Sequence, residues 1–275
     1  MKRFILKTIL LILLALIVCT ILPVFMWKTG MYEKFVSGKD VYISIHESKK
    51  QHKQKKLIIG DSVAHQLFPN TKKDSTFVSL ACNQAIEIPG HYFLLNNYLK
   101  AGNQVDTVYL IFHPCNLKNN LDQIYTFHYF IKPFYTAEYK PYFTKTLHEQ
   151  VEKIPYYQMA KWLHIRTSNW APDFKRTNFS SDFLSPLSIE YLNRMKLLAD
   201  EYHFQLILLS PPISPAKKEC IDSIDSSIIT LNGFDNEFKH YFESIIYVEE
   251  HCFFDGFHFK EEYIEQYERL FREKL

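Results

Sequence analysis

The chain opens on an unbroken apolar run. From Thr8 to Trp27, twenty consecutive residues carry no charge, enough for a helix to cross ~30 Å of hydrocarbon. Beyond it the pattern changes to short apolar runs bounded by polar or turn-forming residues. Lys56–Gly60 (KLIIG), Thr76–Leu80 (TFVSL), Asp106–His113, Gln205–Pro211 and Ser244–Glu249 each predict a strand. Between them, residues 84–100 carry apolar positions at helical spacing, and 187–203 place Leu187, Tyr191, Met195 and Leu198 on one side. Residues 260–274 predict a terminal helix. Strands that are apolar throughout, separated by helices, argue for a parallel sheet covered on both faces. The expected class is α/β, with a flavodoxin-like three-layer parallel sheet.

This divides the chain into an N-terminal tail and transmembrane anchor at 1–27, a connecting stalk at 28–54, and a domain at 55–275. The run SKKQHKQKK at 48–56 reads as a solvated approach to the first core strand. Residues 114–186 do not follow the strand–helix rhythm and form an aromatic helical insertion. A stretch that long inside an α/β domain is usually functional or a subdomain. Its position after the third strand predicts a cap over the carboxyl ends of the strands, with Tyr135 and Trp170 as candidate substrate-binding rings. A small helical lid packed on the sheet is the alternative.

Composition narrows the picture. Of 275 residues, 47% are hydrophobic and 23% charged, so most of the chain is globular. Only 7 glycines occur, and neither G-x-G-x-x-G nor a P-loop motif is present. The net charge of +2 arises in the tail. Without Lys2, Arg3 and Lys7 the chain holds 29 basic against 30 acidic residues, which argues against nucleic acid as a partner. Those three basic residues precede the span, which reads as an uncleaved signal anchor. Lys28, Lys34 and Lys39 after it nearly balance them. A short basic N-terminus retained inside, with the long domain exported, predicts an extracytoplasmic domain, periplasmic or at the cell surface. A cleaved signal peptide is the rival, but the run is longer than its usual core and no A-x-A-like site comes after it. Cys19 lacks the small preceding residue of a lipoprotein site. Cys82 and Cys115 both come just after predicted strands, so a bridge between them is open, with two buried thiols as the alternative.

Two short motifs carry chemistry. Gly60-Asp61-Ser62 stands after the first core strand, at the end of the sheet where ligands gather. A serine there meets backbone N–H groups able to stabilise an oxyanion, although Ser or Asp after a strand is also an ordinary helix cap. Near the C-terminus, Asp255-Gly256-Phe257-His258 places a carboxylate and an imidazole three residues apart. The carboxylate can fix the tautomer and support the imidazolium that forms when histidine takes a serine proton.

In this order, GDS after the first strand and D-x-x-H before the last helix, the chain resembles the SGNH/GDSL hydrolase superfamily of esterases and acyl-transfer enzymes, over roughly residues 55–275. The resemblance implies Ser62 as nucleophile, His258 as general base and Asp255 as its orienting carboxylate. The family's glycine after the second strand and its G-x-N-D segment are absent. Asn83 and Asn116 stand nearest as oxyanion donors, and either can equally be a helix cap. With its anchor, the chain looks like the envelope-modifying relatives, the D-alanyl transfer and alginate O-acetylation proteins. The resemblance thus implies a serine esterase or O-acyltransferase acting on an envelope polysaccharide, with an acyl donor or a membrane acyltransferase as partner. The alternative is a catalytically inactive scaffold that binds glycan or a membrane partner. No cofactor is expected. His65, His113 and Cys115 lack metal-ligand spacing, so no metal is expected either.

Overall fold

The computed structural model describes residues 1–174 and 182–275, so residues 175–181 of the 114–186 insertion lie outside the described residues. Helix α1 (Lys2–Thr29) holds the apolar run. None of its residues is buried, and it is long and apolar enough to cross a membrane, a test that a signal sequence also meets. It ends at Gly30, whose left-handed backbone caps the helix. Helix α2 (Lys39–Ser48) comes next.

The sheet has four parallel strands: β1 (Lys56–Gly60), β2 (Phe77–Ser79), β3 (Thr107–Ile111) and β4 (Gln205–Leu209), in the order β2-β1-β3-β4. Helix α3 (Ser62–Leu67) leads from β1 towards β2, and α4 (Glu87–Lys100) from β2 to β3. Successive side chains on a strand point to opposite faces. Leu57 and Ile59 therefore enter the larger core with Val108, Leu110 and α4. Ile58 enters the smaller core with Ile111, α3 residues and Phe271 of the last helix, α11 (Glu261–Arg272). Both faces are covered, which is why the strands are apolar throughout.

The insertion contains α5 (Lys132–Phe134), α6 (Lys145–Glu152) and α7 (Leu163–Arg166). Helix α8 (Pro186–Tyr202) then packs beside α4 and leads to β4. Two short helices, α9 (Lys218–Asp222) and α10 (Ser227–Leu231), come after β4.

Two expectations are corrected. Residues 28–54 are not a detached stalk: Val41 and Ile45, four apart on one side of α2, lie in the main core, and Ser44 donates to the Leu80 carbonyl at 3.0 Å. The fifth strand at 244–249 is reduced to one parallel bridge between Ile213 and Tyr247. The edge that would carry it passes through Pro211 and Pro212, which have no N–H to continue a ladder. Ile213 alone pairs, donating to Ile246 and accepting from Val248.

The aromatic part of the insertion is organised around α4. Phe130, Phe134, Tyr139 and Phe143 surround the buried ring of Phe93, at centroid distances of 5.3–6.2 Å. Its far side meets the end of α1. The Arg166 guanidinium lies 5.2 Å over the Trp27 ring, and Asn169 Oδ1 accepts the Ser37 N–H at 2.8 Å.

Candidate active site

Strand order places the site. In it, β1 lies between β2 and β3, and the connections leaving β1 and β3 depart to opposite faces of the sheet, α3 into the smaller core and α8 into the larger. Such a switch point, at the carboxyl ends of the strands, is the crevice where open α/β sheets hold ligands. The turn after β1 carries Asp61-Ser62, and the turn after β3 carries His113.

Gly60 is fixed by close approach. A Cβ there would stand 2.2 Å from the Ile111 carbonyl oxygen and 2.7 Å from the Ala64 Cβ. The next residue, Asp61, is fully buried and caps α3, its Oδ1 accepting the N–H groups of Val63 at 3.0 Å and Ala64 at 3.2 Å. Its Oδ2 accepts the His113 N–H at 2.7 Å. Burial raises the Asp61 carboxyl above its usual range, against the pull of these three N–H donors. Because Asp61 takes the cap, Ser62 is free to turn its hydroxyl outward from the first helical position.

The second motif sits on a tight loop closed by an antiparallel bridge between Phe253 and Phe259. Asp255 Oδ1 accepts the N–H groups of Phe257 at 2.9 Å and His258 at 2.7 Å. Gly256, at φ +77°, supplies the left-handed residue that lets the loop fold back. Asp255 Oδ2 lies 2.7 Å from His258 Nδ1, and His258 Nε2 lies 2.8 Å from Ser62 Oγ. Burial opposes ionisation of Asp255, but the hydrogen bonds from His258 and Phe257 outweigh it and hold the carboxyl below its usual range. An ionised carboxylate at Nδ1 can fix the Nδ1–H tautomer and leave Nε2 able to accept a proton.

The structure thus brings Ser62, His258 and Asp255 together across 196 residues of sequence. The two predicted oxyanion donors are engaged differently. Asn83 caps the turn after β2, its Oδ1 accepting the Ala85 N–H at 2.9 Å, while its own N–H donates to Asp40 Oδ2 at 2.7 Å. Its amide nitrogen donates to no other group among the described residues. Since Cys82 donates to the Gly60 carbonyl at 3.0 Å, Asn83 emerges beside the Asp61-Ser62 turn. Asn116, after β3, gives its amide hydrogen to Gln84 Oε1.

Tyr135 and Trp170 are not gathered at this site. The half-buried Tyr135 ring packs against Phe143 and Tyr157, and Trp170, 40% exposed, lies against Phe127 and Tyr156. Both belong to the aromatic pack beside α4 and α1, because the insertion is held there by Phe93 and Trp27.

Residues that sequence reasoning missed hold the site from behind. Gln66 clamps the histidine loop to α3, donating to the Phe259 carbonyl at 3.1 Å and accepting its N–H at 2.9 Å. Its position four residues after Ser62, on the same helical side, was the available signal. His113 is buried and packs on Phe257 at a centroid distance of 4.9 Å. Burial, with the charges of Lys217 and His258, lowers its pKa to about 3. The ring is therefore neutral, and its Nδ1 accepts the Cys115 N–H at 3.2 Å. Among the described residues no group of three or more His, Cys, Asp or Glu side chains is arranged to hold a metal ion. The Cys82–Cys115 pairing is also corrected: Cys82 is buried, and Cys115 faces Cys220 instead.

No protein-family model matches the chain, and no curated protein matches it. Among solved structures, the chain is similar to one described as "a putative platelet activating factor from Streptococcus pneumonia". The two are 12% identical, with a TM-score of 0.34, over 86% of this chain and 91% of that one. A likeness so distant carries no argument about activity.

Proposed function

We propose that the chain is an SGNH-type serine esterase or O-acyltransferase, held at the outer face of a membrane by α1 and acting on an envelope glycan. One observation carries the reading: Ser62 Oγ, His258 and Asp255 form a continuous hydrogen-bonded relay, with contacts of 2.8 and 2.7 Å. Side chains so remote in sequence do not adopt that order merely to satisfy polar groups on a rim, where water would serve.

In this reading Ser62 Oγ attacks the ester carbonyl while His258 Nε2 takes its proton. The tetrahedral intermediate collapses, the leaving alcohol departs with the proton from His258, and an acyl-serine remains. Water or a sugar hydroxyl then gives its proton to His258 and removes the acyl group. The Ser62 N–H, at the start of α3, and the unengaged amide of Asn83 supply the oxyanion contacts. Residues 1–27 form the anchor, and 28–275 a single extracytoplasmic unit rather than a stalk and a domain.

The scaffold alternative draws on one feature, the Asn116 amide already committed to Gln84. An activated acetyl ester separates the two. The enzyme reading expects a burst of released alcohol and an added acetyl group on the Ser62 peptide. A folded protein that gives no burst and no acetylated peptide would favour the scaffold.

A further inference from the structure

Five cysteines occur in the chain, and two of them meet. Cys115 lies on the turn Pro114–Asn116 after β3, and Cys220 lies on α9 after β4. Their sulfur atoms stand 2.9 Å apart, each half-buried at the wall of a cleft also lined by Pro114, Lys118, Asp182 and Phe183. The other three are elsewhere: Cys19 on α1, Cys82 buried behind β2, and Cys252 beside His251 and Tyr267.

We propose that Cys115 and Cys220 close a disulfide in the exported protein, joining the two segments that border the histidine loop. The inference rests on the extracytoplasmic reading above, because a reducing cytosol would keep both thiols free. A small relaxation takes the two sulfurs to the bonded separation of about 2.0 Å. No other pair of cysteines is placed to compete among the described residues.

The position gives the bond a role. Two residues before Cys115, the His113 N–H holds Asp61, and the His113 ring packs on Phe257. Three residues before Cys220, the Lys217 ammonium lies 4.1 Å over the same Phe257 ring. Phe257 precedes His258 directly. A covalent tie between Cys115 and Cys220 therefore fixes both sides of the cradle around the catalytic loop. It also closes the long stretch of chain, insertion included, between β3 and α9, where loop-closure entropy gives a crosslink its largest effect.

The chemistry is thiol–disulfide exchange with an external disulfide oxidant. Either thiol can open the exchange. With Cys220 attacking first, its thiolate bonds to one sulfur of the oxidant and expels the other as a thiolate. Cys115, losing its proton to solvent, then attacks the Cys220 sulfur and expels the second. Two protein thiols are oxidised by two electrons and the oxidant is reduced to two thiols.

The full chain is isolated from envelopes in detergent, with free thiols alkylated at lysis, and digested without reductant. The expected result is a linked Cys115–Cys220 peptide, lighter by two hydrogens than the sum of its parts and lost on reduction. Reductant should also lower the melting temperature of wild type by roughly 5–15 °C and leave that of a Cys115→Ser/Cys220→Ser variant unmoved. Two alkylated thiols in the isolated protein would overturn the proposal. If oxidised glutathione links them in a parallel preparation left unalkylated, the location reading has failed. If it does not, the geometry has.

Discussion

The Asp61 carboxylate accepts the backbone N–H of His113 at 2.7 Å and so ties the turn after β1 to the turn after β3. With its other oxygen it caps α3. One buried side chain therefore sets both the direction of Ser62 and the spacing of the crevice in which it stands.

Asp61→Ala strips acceptors from the N–H groups of Val63, Ala64 and His113, all buried residues. A lost helix cap costs about 1 kcal/mol, and a buried donor left without a partner about 1–3 kcal/mol. The variant should unfold in chemical denaturant some ~2–4 kcal/mol more easily than wild type, and Asp61→Asn, which keeps one acceptor, by less. Equal midpoints and slopes for all three proteins would show that Asp61 does not hold the two turns.

In the proposed mechanism the Asp255 carboxylate is a tautomer control as well as a loop staple. Asp255→Asn keeps an oxygen for the Phe257 and His258 N–H groups but can offer an N–H to Nδ1, which favours the wrong proton arrangement. Turnover of an activated ester should fall by about 10²–10⁴-fold, with the melting temperature little changed. Turnover within a few fold of wild type would remove Asp255 from the mechanism.

Asn83 separates capping from oxyanion contact. In Asn83→Ser the shorter side chain retains an oxygen for the Ala85 N–H but cannot reach a substrate oxygen. Loss of one oxyanion donor lowers kcat about 10²–10³-fold, and that is the expected effect, with KM nearly constant. Asn116→Ala, whose parent amide is bonded to Gln84, should change kcat far less. The opposite ranking would assign the oxyanion to Asn116.

Legibility differed between elements for physical reasons. Strand β1 was bounded by the sequence itself, with Lys56 at one end and Gly60, required by close approach to Ile111, at the other. The fifth strand was misread because the apolar run at 244–249 says nothing of its neighbour, where two prolines remove the donors. Helix α2 was hidden: its few apolar positions sit among lysine-rich flanks, and only tertiary burial of Val41 and Ile45 reveals it. Ser62, Asp255 and His258 were legible because each motif needs particular residues on a tight turn. That the two motifs belong together came from family resemblance, not from periodicity. Gln66 shows in the sequence only as a same-side neighbour of Ser62, while His113 and Cys220 act through residues remote in sequence and their local patterns carry no trace of those partners.

Acid should loosen the far edge of the sheet. Arg272 of α11 bonds Asp74 at 2.8 Å and Glu268 at 2.6 Å. Burial raises the Asp74 carboxyl, but Thr76 and Arg272 outweigh it and bring it down from 3.8 to about 2. A carboxyl depressed in the folded state adds stability above its unfolded pKa, and that stability is lost as pH falls through the folded value. Thermal melts should therefore show a decline between about pH 4 and pH 2 that is shallower in Arg272→Met. Parallel pH profiles for the two proteins would contradict the role given to this pair.

The central claim is that Ser62 is a nucleophile activated by His258. A fluorophosphonate probe reacts with an activated serine and forms a stable phosphonyl ester on its oxygen. Wild type should label at Ser62, located by peptide mass. Ser62→Ala should show no labelling, and His258→Ala should lose nearly all of it while remaining folded. Equal labelling of wild type and Ser62→Ala, or an unlabelled but folded wild type, would contradict the account.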